Sequence, residues 1–288
     1  MKISLIVLLI LTVVFLLSGC FTNTGYIYTN SDQYSVGDAE FDLSNVQTID
    51  ISWISGNVEV VGSDEVSNVQ IIEEVDVGTE EKYQMHYWLN NGTLNIKFTA
   101  SMSTYTHLFQ IKDLTVLVPS TFNKKVNINS VSANISISDI KSELNLDSVS
   151  GIITLSDIES AKCDINNVSG KLQMENISFD DCDVDLTSGQ VIVTASELNN
   201  LDLNAVSSSV ALTLLVAPSS CSIETVSGNM NITLPASANF TFTYDKVSGS
   251  MNSEFALTIN NNVYTVGLGG PDYDFSTVSG SLSLKKLD

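Results

Sequence analysis

The sequence has no arginine, four prolines and two histidines in 288 residues. Twelve lysines face 33 acidic residues, a formal charge of −21. Phosphate recognition leans on Arg and Lys clusters, so no nucleic-acid partner is expected. The same charge repels anionic headgroups, so attachment to a membrane has to come from an apolar anchor. His86 and His107 fit neither HExxH nor Cys-His spacing, and no glycine-rich phosphate loop is present. Zinc chemistry and a Ser-His-Asp triad are therefore not expected, and no cofactor is implied. The apolar run Ile3–Leu17 has 15 residues, short of the ~20 that a membrane span needs.

That run follows Lys2 and ends in Leu17-Ser18-Gly19-Cys20. Its length suits the core of a signal peptide, and Ser18 and Gly19 suit a peptidase pocket. The Leu-Ser-Gly-Cys motif resembles the lipobox of prokaryotic lipoproteins. The resemblance implies lipidation of Cys20 and cleavage before it. Two acyl chains suffice for stable anchoring, which places the protein at the cell membrane, facing outside the cytoplasm. Residues 21–40 are polar and read as a tether.

The second half carries one recurring triplet, apolar-Ser-small. Its copies begin at Val131, Val149, Val168, Thr187, Val206, Val226, Val247 and Val278, spaced by 18, 19, 19, 19, 20, 21 and 31 residues. An outlying copy is Ile54-Ser55-Gly56. Five and three residues before each triplet, and four and six after it, the sequence is apolar almost throughout. Leu201, Leu203, Val210 and Leu212 fill those positions in one copy. Apolar residues two apart mark a strand with one buried face. Each unit is thus strand, Ser-Gly corner, strand, loop. A unit near 19 residues cannot bury its own apolar face, so copies must stack. The expected fold is all-β and β-solenoid-like; a twisted β-sandwich is the alternative. Gly at the corner permits a sharp turn, and the serine can bond local backbone or the serine one coil away. Eight such serines are a scaffold device.

The expected organisation is a signal peptide (1–20), the tether (21–40), an N-terminal β region over the open end of the stack (41–125), and the repeat solenoid (126–288). Asn90-Asn91-Gly92 predicts a hairpin turn, residues 253–270 a protruding hairpin, and Lys285 and Lys286 protection of the far end.

The run Ile51-Ser52-Trp53-Ile54-Ser55-Gly56-Asn57-Val58-Glu59-Val60, the segment Leu114–Pro119, Tyr264-Thr265-Val266-Gly267 and the Val-Ser-Gly ladder resemble the putative-adhesin domain family, envelope-associated β-repeat proteins. The resemblance covers most of residues 45–285. It implies the β-repeat fold and brings no catalytic residues.

Two side-chain sets are candidate sites. Cys163, Cys182 and Cys221 share one inward repeat position and read first as packed thiols. Neighbouring strands lie ~4.8 Å apart, within the ~4.4–6.8 Å Cα window for a disulfide, so Cys163 and Cys182 are a candidate pair. Asp164, Asp183 and Asp202 form an outward column, with Asp147 and Asp185 two residues along. A solvated acidic face is the plainer reading, and Ca²⁺ the sharper one, because it prefers several carboxylate oxygens. The expected function is that of a non-enzymatic surface lipoprotein binding an extracellular protein or glycan, or building the envelope. The alternatives are a glycan hydrolase using outward carboxylates and an envelope-stress accessory.

Overall fold

The computed structural model describes residues 26–103 and 111–287, and the backbone alone of Ser196. Cys20 and His107 lie outside the described residues. The fold is all-β and β-solenoid-like; apart from three short 3-10 turns, the regular elements among the described residues are strands. The chain divides into two compact units, 1–154 and 155–288.

In the first unit the short strands β1 (Ser35–Val36) and β2 (Ala39–Phe41) precede β3 (Thr48–Ser63), β4 (Val69–Glu74), β5 (His86–Asn90), β6 (Thr93–Lys97), β7 (Lys112–Pro119) and β8 (Lys125–Ser138). β3 carries the outlying triplet and pairs with β8 in parallel, Ile49 opposite Val126, Ser55 opposite Ser132 and Val58 opposite Ile135. It is therefore a full coil in register with the ladder. On its other side, β6 and β7 together make one more coil, with Leu94 opposite Ile49 and Leu114 opposite Val58. Antiparallel strands cover this coil: β4 on β7 and β5 on β6. The β5–β6 turn is the expected hairpin, with Asn91 and Gly92 both at positive φ.

Residues 26–36, which read as tether from their polarity, are packed on this unit instead. Ser35 and Val36 pair with β5, Tyr28 exchanges two hydrogen bonds with Ser101, and the Tyr34 ring lies 5.7 Å from that of Trp88. Aromatic spacing inside a polar stretch carried that information.

A long extended run, β9 (Glu143–Leu214), begins in the first unit and continues in the second. The second unit adds β10 (Ser220–Ser227), β11 (Met230–Pro235), β12 (Phe240–Ser248), β13 (Met251–Ser253), β14 (Leu257–Asn260), β15 (Val263–Val266), β16 (Asp272–Ser279) and β17 (Leu282–Leu287). Here stacking order departs from chain order. β16 pairs in parallel with β10 on one side and β12 on the other, Tyr273 facing both Cys221 and Phe242. β17 likewise lies between β11 and β13. The last triplet copy is thus inserted between the sixth and seventh. The 253–270 hairpin, β14 with β15, pairs antiparallel on β12 and covers the displaced seventh copy, Tyr264 stacking on Phe242 at 4.8 Å. Lys285 and Lys286 consequently sit on an interior coil and do not guard an end.

The four sequence columns are inward. All their residues are buried except Met251 and Ser253, both half-exposed on the end coil. A further inward column comes from within the segment read as loop: Ile140, Ile158 and Ile177 are buried. Each follows a left-handed residue, Asp139, Asp157 or Asn176, at φ 51–58°. Asp and Asn tolerate that region better than other side chains, so the loop is a second corner followed by another buried side.

The Ser-Gly corner has a specific cause. Ser132, Ser150 and Ser248 donate to the backbone carbonyls of Ile54, Val131 and Val278, one coil away, at 3.0–3.2 Å. The bond goes neither to the local backbone nor to the neighbouring serine. At Gly189, φ is +137° and a Cβ would lie 1.7 Å from the Gly170 carbonyl oxygen. Glycine is required there by both the backbone conformation and the neighbouring coil.

Candidate functional site

On the first unit, the outward face of β3, β7, β8 and the 150–154 segment forms a groove of about 490 Å³. The backbone N–H and side-chain amide of Asn57 both donate to Asp113 Oδ1, at 3.1 and 2.7 Å. Asn134 Nδ2 donates to Asn57 Oδ1 at 3.2 Å, and the Ile152 N–H donates to Asn134 Oδ1 at 3.1 Å. Asn57, Asn134 and Ile152 each sit three residues after their triplet's first member, so stacking places them in one row. The groove also presents Glu59, Glu74, Thr115, Ser136 and Thr154. Its lining contains no aromatic ring, the usual platform for a sugar face. Glu59 and Glu74 are exposed, so the groove lacks the enclosed acid of a glycosidase pair. Its chemistry is that of a hydrogen-bonding surface of negative charge.

Behind this face lies a buried charge pair. Lys112 Nζ and Glu73 Oε1 are 2.5 Å apart, each side chain 2% exposed. Lys112 also donates to the carbonyls of Tyr83 and Phe98 and lies 4.2 Å from the Phe98 ring centroid. Glu73 accepts from the Met85 N–H at 2.7 Å. Burial pulls the Lys112 ammonium below its ordinary range, against the opposing pull of Glu73. His86 is buried nearby, lowered chiefly by desolvation. Lys112 occupies the inward phase of Leu114, Val116 and Val118, a signal that could have flagged it.

In the second unit, Asp183 is raised by burial and by Asp164 and Asp202, and Asp185 by burial. Lys162 Nζ binds Asp164 at 2.8 Å, and Asn204 donates to Asp202. One coil at a time, Asn176, Asn199 and Asn200 donate to Asp157, Asp180 and Asp181, each 19 residues earlier. Neutral amides thereby separate part of the stacked negative charge. Among the described residues no group of three or more His, Cys, Asp or Glu comes together to hold a metal ion. The column of Asp164, Asp183 and Asp202 runs along the stack and does not converge on one point, and Asp147 belongs to the other unit.

Cys163, Cys182 and Cys221 are buried free thiols. Cys163 is pushed well up by its contact with the Cys182 sulfur and by burial, and Cys221 is pushed up to about 12 by burial. The structure brings Cys163 and Cys182 side by side in the reduced form.

Solved structures of low identity match nearly the whole chain. A putative lipid binding protein from Parabacteroides distasonis is 16% identical, with 89% of this chain and 97% of that one covered at a TM-score of 0.49. Putative adhesins from Parabacteroides merdae and Bacteroides fragilis are 13% and 14% identical, covering 89% and 88% of this chain and 97% of each of theirs, at TM-scores of 0.47 and 0.44. No curated protein matches. The family model that matches spans residues 46–285, which contain both the groove and every triplet copy, and the chain belongs to the Toastrack DUF4097 family.

Proposed function

We propose that the protein is a non-enzymatic surface lipoprotein, held to the membrane by acylated Cys20 and facing outside the cytoplasm. Its groove on the first unit binds a polar, cationic segment of an extracellular protein or glycan. The observation that carries this reading is the row Asp113–Asn57–Asn134–Ile152 N–H, a fixed set of hydrogen-bonding groups flanked by Glu59 and Glu74. Rigid strands hold it without a loop to order, which lowers the entropic cost of binding. Carboxylates at its rim steer a cationic partner and set salt dependence.

Titration of the full, lipidated chain in vesicles with oligolysine, oligoglutamate and chitosan oligomers tests this. Oligolysine or chitosan should bind, with affinity falling as salt rises, and Glu59→Gln with Glu74→Gln should weaken it several-fold. Asp180→Asn with Asp181→Asn, elsewhere on the surface, should not. Equal losses from both pairs would mean unspecific attraction to an acidic protein. Cys20→Ala should release the protein from the membrane fraction or leave it unprocessed.

A further inference from the structure

The aromatic residues that fasten the chain's first described segment lie beside an exposed apolar side chain of the same segment, Ile27. The Tyr26 N–H donates to the Ser103 carbonyl, and the Met102 N–H donates to the Tyr26 carbonyl at 2.6 Å. The Tyr26 hydroxyl donates inward to the Ser52 carbonyl. The rings of Tyr26, Tyr28, Tyr34 and Trp88 follow one another at 5.7, 4.8 and 5.7 Å. On this scaffold Ile27 is 53% and Met102 73% exposed, and Tyr34 and Trp88 are half-exposed. Between Lys2 and Asp32 the sequence has no charged residue, in a chain of net charge −21.

Chain length says what such a surface meets. Five residues separate Cys20 from Tyr26, and the six steps between them span at most ~20 Å in any conformation. With acyl chains on Cys20 inside the bilayer, the strip is confined to the neighbourhood of the headgroups. Tyr and Trp rings, apolar with one polar edge, favour that layer. Acidic groups elsewhere are pushed from an anionic leaflet, which favours turning the apolar, aromatic strip toward it.

We infer that Ile27, Tyr34, Trp88 and Met102 form a membrane-contacting face that rests in the headgroup layer and fixes how the first unit stands on the bilayer. The inference rests on the reading of Cys20 as the lipid anchor.

The test uses the full chain reconstituted in phosphatidylcholine–phosphatidylglycerol vesicles containing a lipid spin-labelled near its headgroup. The protein has two tryptophans; Trp53, 1% exposed, is a protected reference and Trp88 the reporter. The shallow label should quench emission, Trp88→Phe should abolish that quenching, and iodide should quench Trp88 less with vesicles than in detergent. Ile27→Glu with Met102→Glu, at exposed positions that folding tolerates, should reduce lipid quenching and restore access to iodide. Trp88 untouched by the lipid label, in protein whose Cys20 mass shows acylation, overturns the face and leaves the anchor standing. Unchanged quenching in the double glutamate variant also overturns it. Quenching in protein that lacks acylation would support the face and refute the anchor. Neither acylation nor quenching overturns both.

Discussion

The hydroxyl of Ser150 donates to the carbonyl oxygen of Val131 at 3.2 Å, across the gap between two coils. Nineteen residues apart in the chain, the two are neighbours because both sit at the same corner of successive repeats. Ser132, Ser150 and Ser248 are thus struts between coils, and at Gly189 the glycine beside the serine is what lets the coils approach.

Glycine dependence differs between copies. Gly189→Ala must hold a methyl group at φ +137° against the Gly170 carbonyl, a conformation that alone costs about 1–3 kcal/mol for a residue with a side chain. Its urea midpoint should fall accordingly. At the equivalent corner in the next copy, Ser208 is buried and its hydroxyl has no hydrogen-bond partner. Ser208→Ala relieves a stranded polar group, so its midpoint should hold or rise, by up to about 1 kcal/mol.

Breaking the buried pair should be costly. Lys112→Met leaves the Glu73 carboxylate sealed without its cation, a loss of about 3–5 kcal/mol. Glu73→Gln with Lys112→Met should recover part of it, because no uncompensated charge remains. A double-mutant cycle on unfolding free energies checks the coupling.

Stability should depend on pH through Asp183. Burial and the neighbouring Asp164 and Asp202 raise its folded-state pKa, so the folded chain binds the proton more tightly than the unfolded one. Its contribution is therefore favourable at low pH and is lost as pH rises through the raised value. Asp183→Asn should be more stable than the wild type at pH 7, and the gap should close as pH falls toward 4. A melting series of the two proteins measures the gap directly.

The thiols should be inert while folded. Burial and contact with the Cys182 sulfur suppress the thiolate form of Cys163, and burial that of Cys221. The thiolate is what alkylating reagents attack, and all three sulfurs are shut away from reagent by burial. Iodoacetamide should modify all three cysteines in urea and none in buffer. Mass mapping without reductant after treatment with a mild oxidant should reveal a 163–182 linked peptide, and its absence would mean that the two thiols stay packed and unpaired.

How far the sequence disclosed this fold can be followed residue by residue. Leu201, Leu203, Val210 and Leu212 announce two strands with one buried face, since alternation and a fixed period leave little else. The second corner stayed hidden because Asp157-Ile158 shows one apolar residue beside a charged one, which looks like loop. Its left-handed backbone is visible only in three dimensions. The 31-residue spacing before Val278 disclosed an insertion but not its consequence, because parallel strands of similar pattern can stack in either order. Met251 and Ser253 were the hint: the weakest inward residues belong on the outermost coil. In the candidate site, Asn57 and Asn134 occupy matching repeat positions and were legible as a row. Asp113 reaches the groove through the parallel pairing of β7 with β3, and Glu74 through the antiparallel pairing of β4 with β7, neither of which a local pattern specifies.

The order of coils in the second unit is the most demanding consequence of in-register stacking, and spin-label distances decide it. Asp274 lies opposite both Ser222 and Thr243, which puts one strand between Ser222 and Thr243. Labels at 222 and 274 should show the strong dipolar broadening of adjacent strands, ~4.8 Å apart at the backbone, and labels at 222 and 243 the weaker coupling of ~9.6 Å. Strong coupling between 222 and 243 with weak coupling between 222 and 274 would mean that the copies stack in chain order, contradicting the intercalated last repeat.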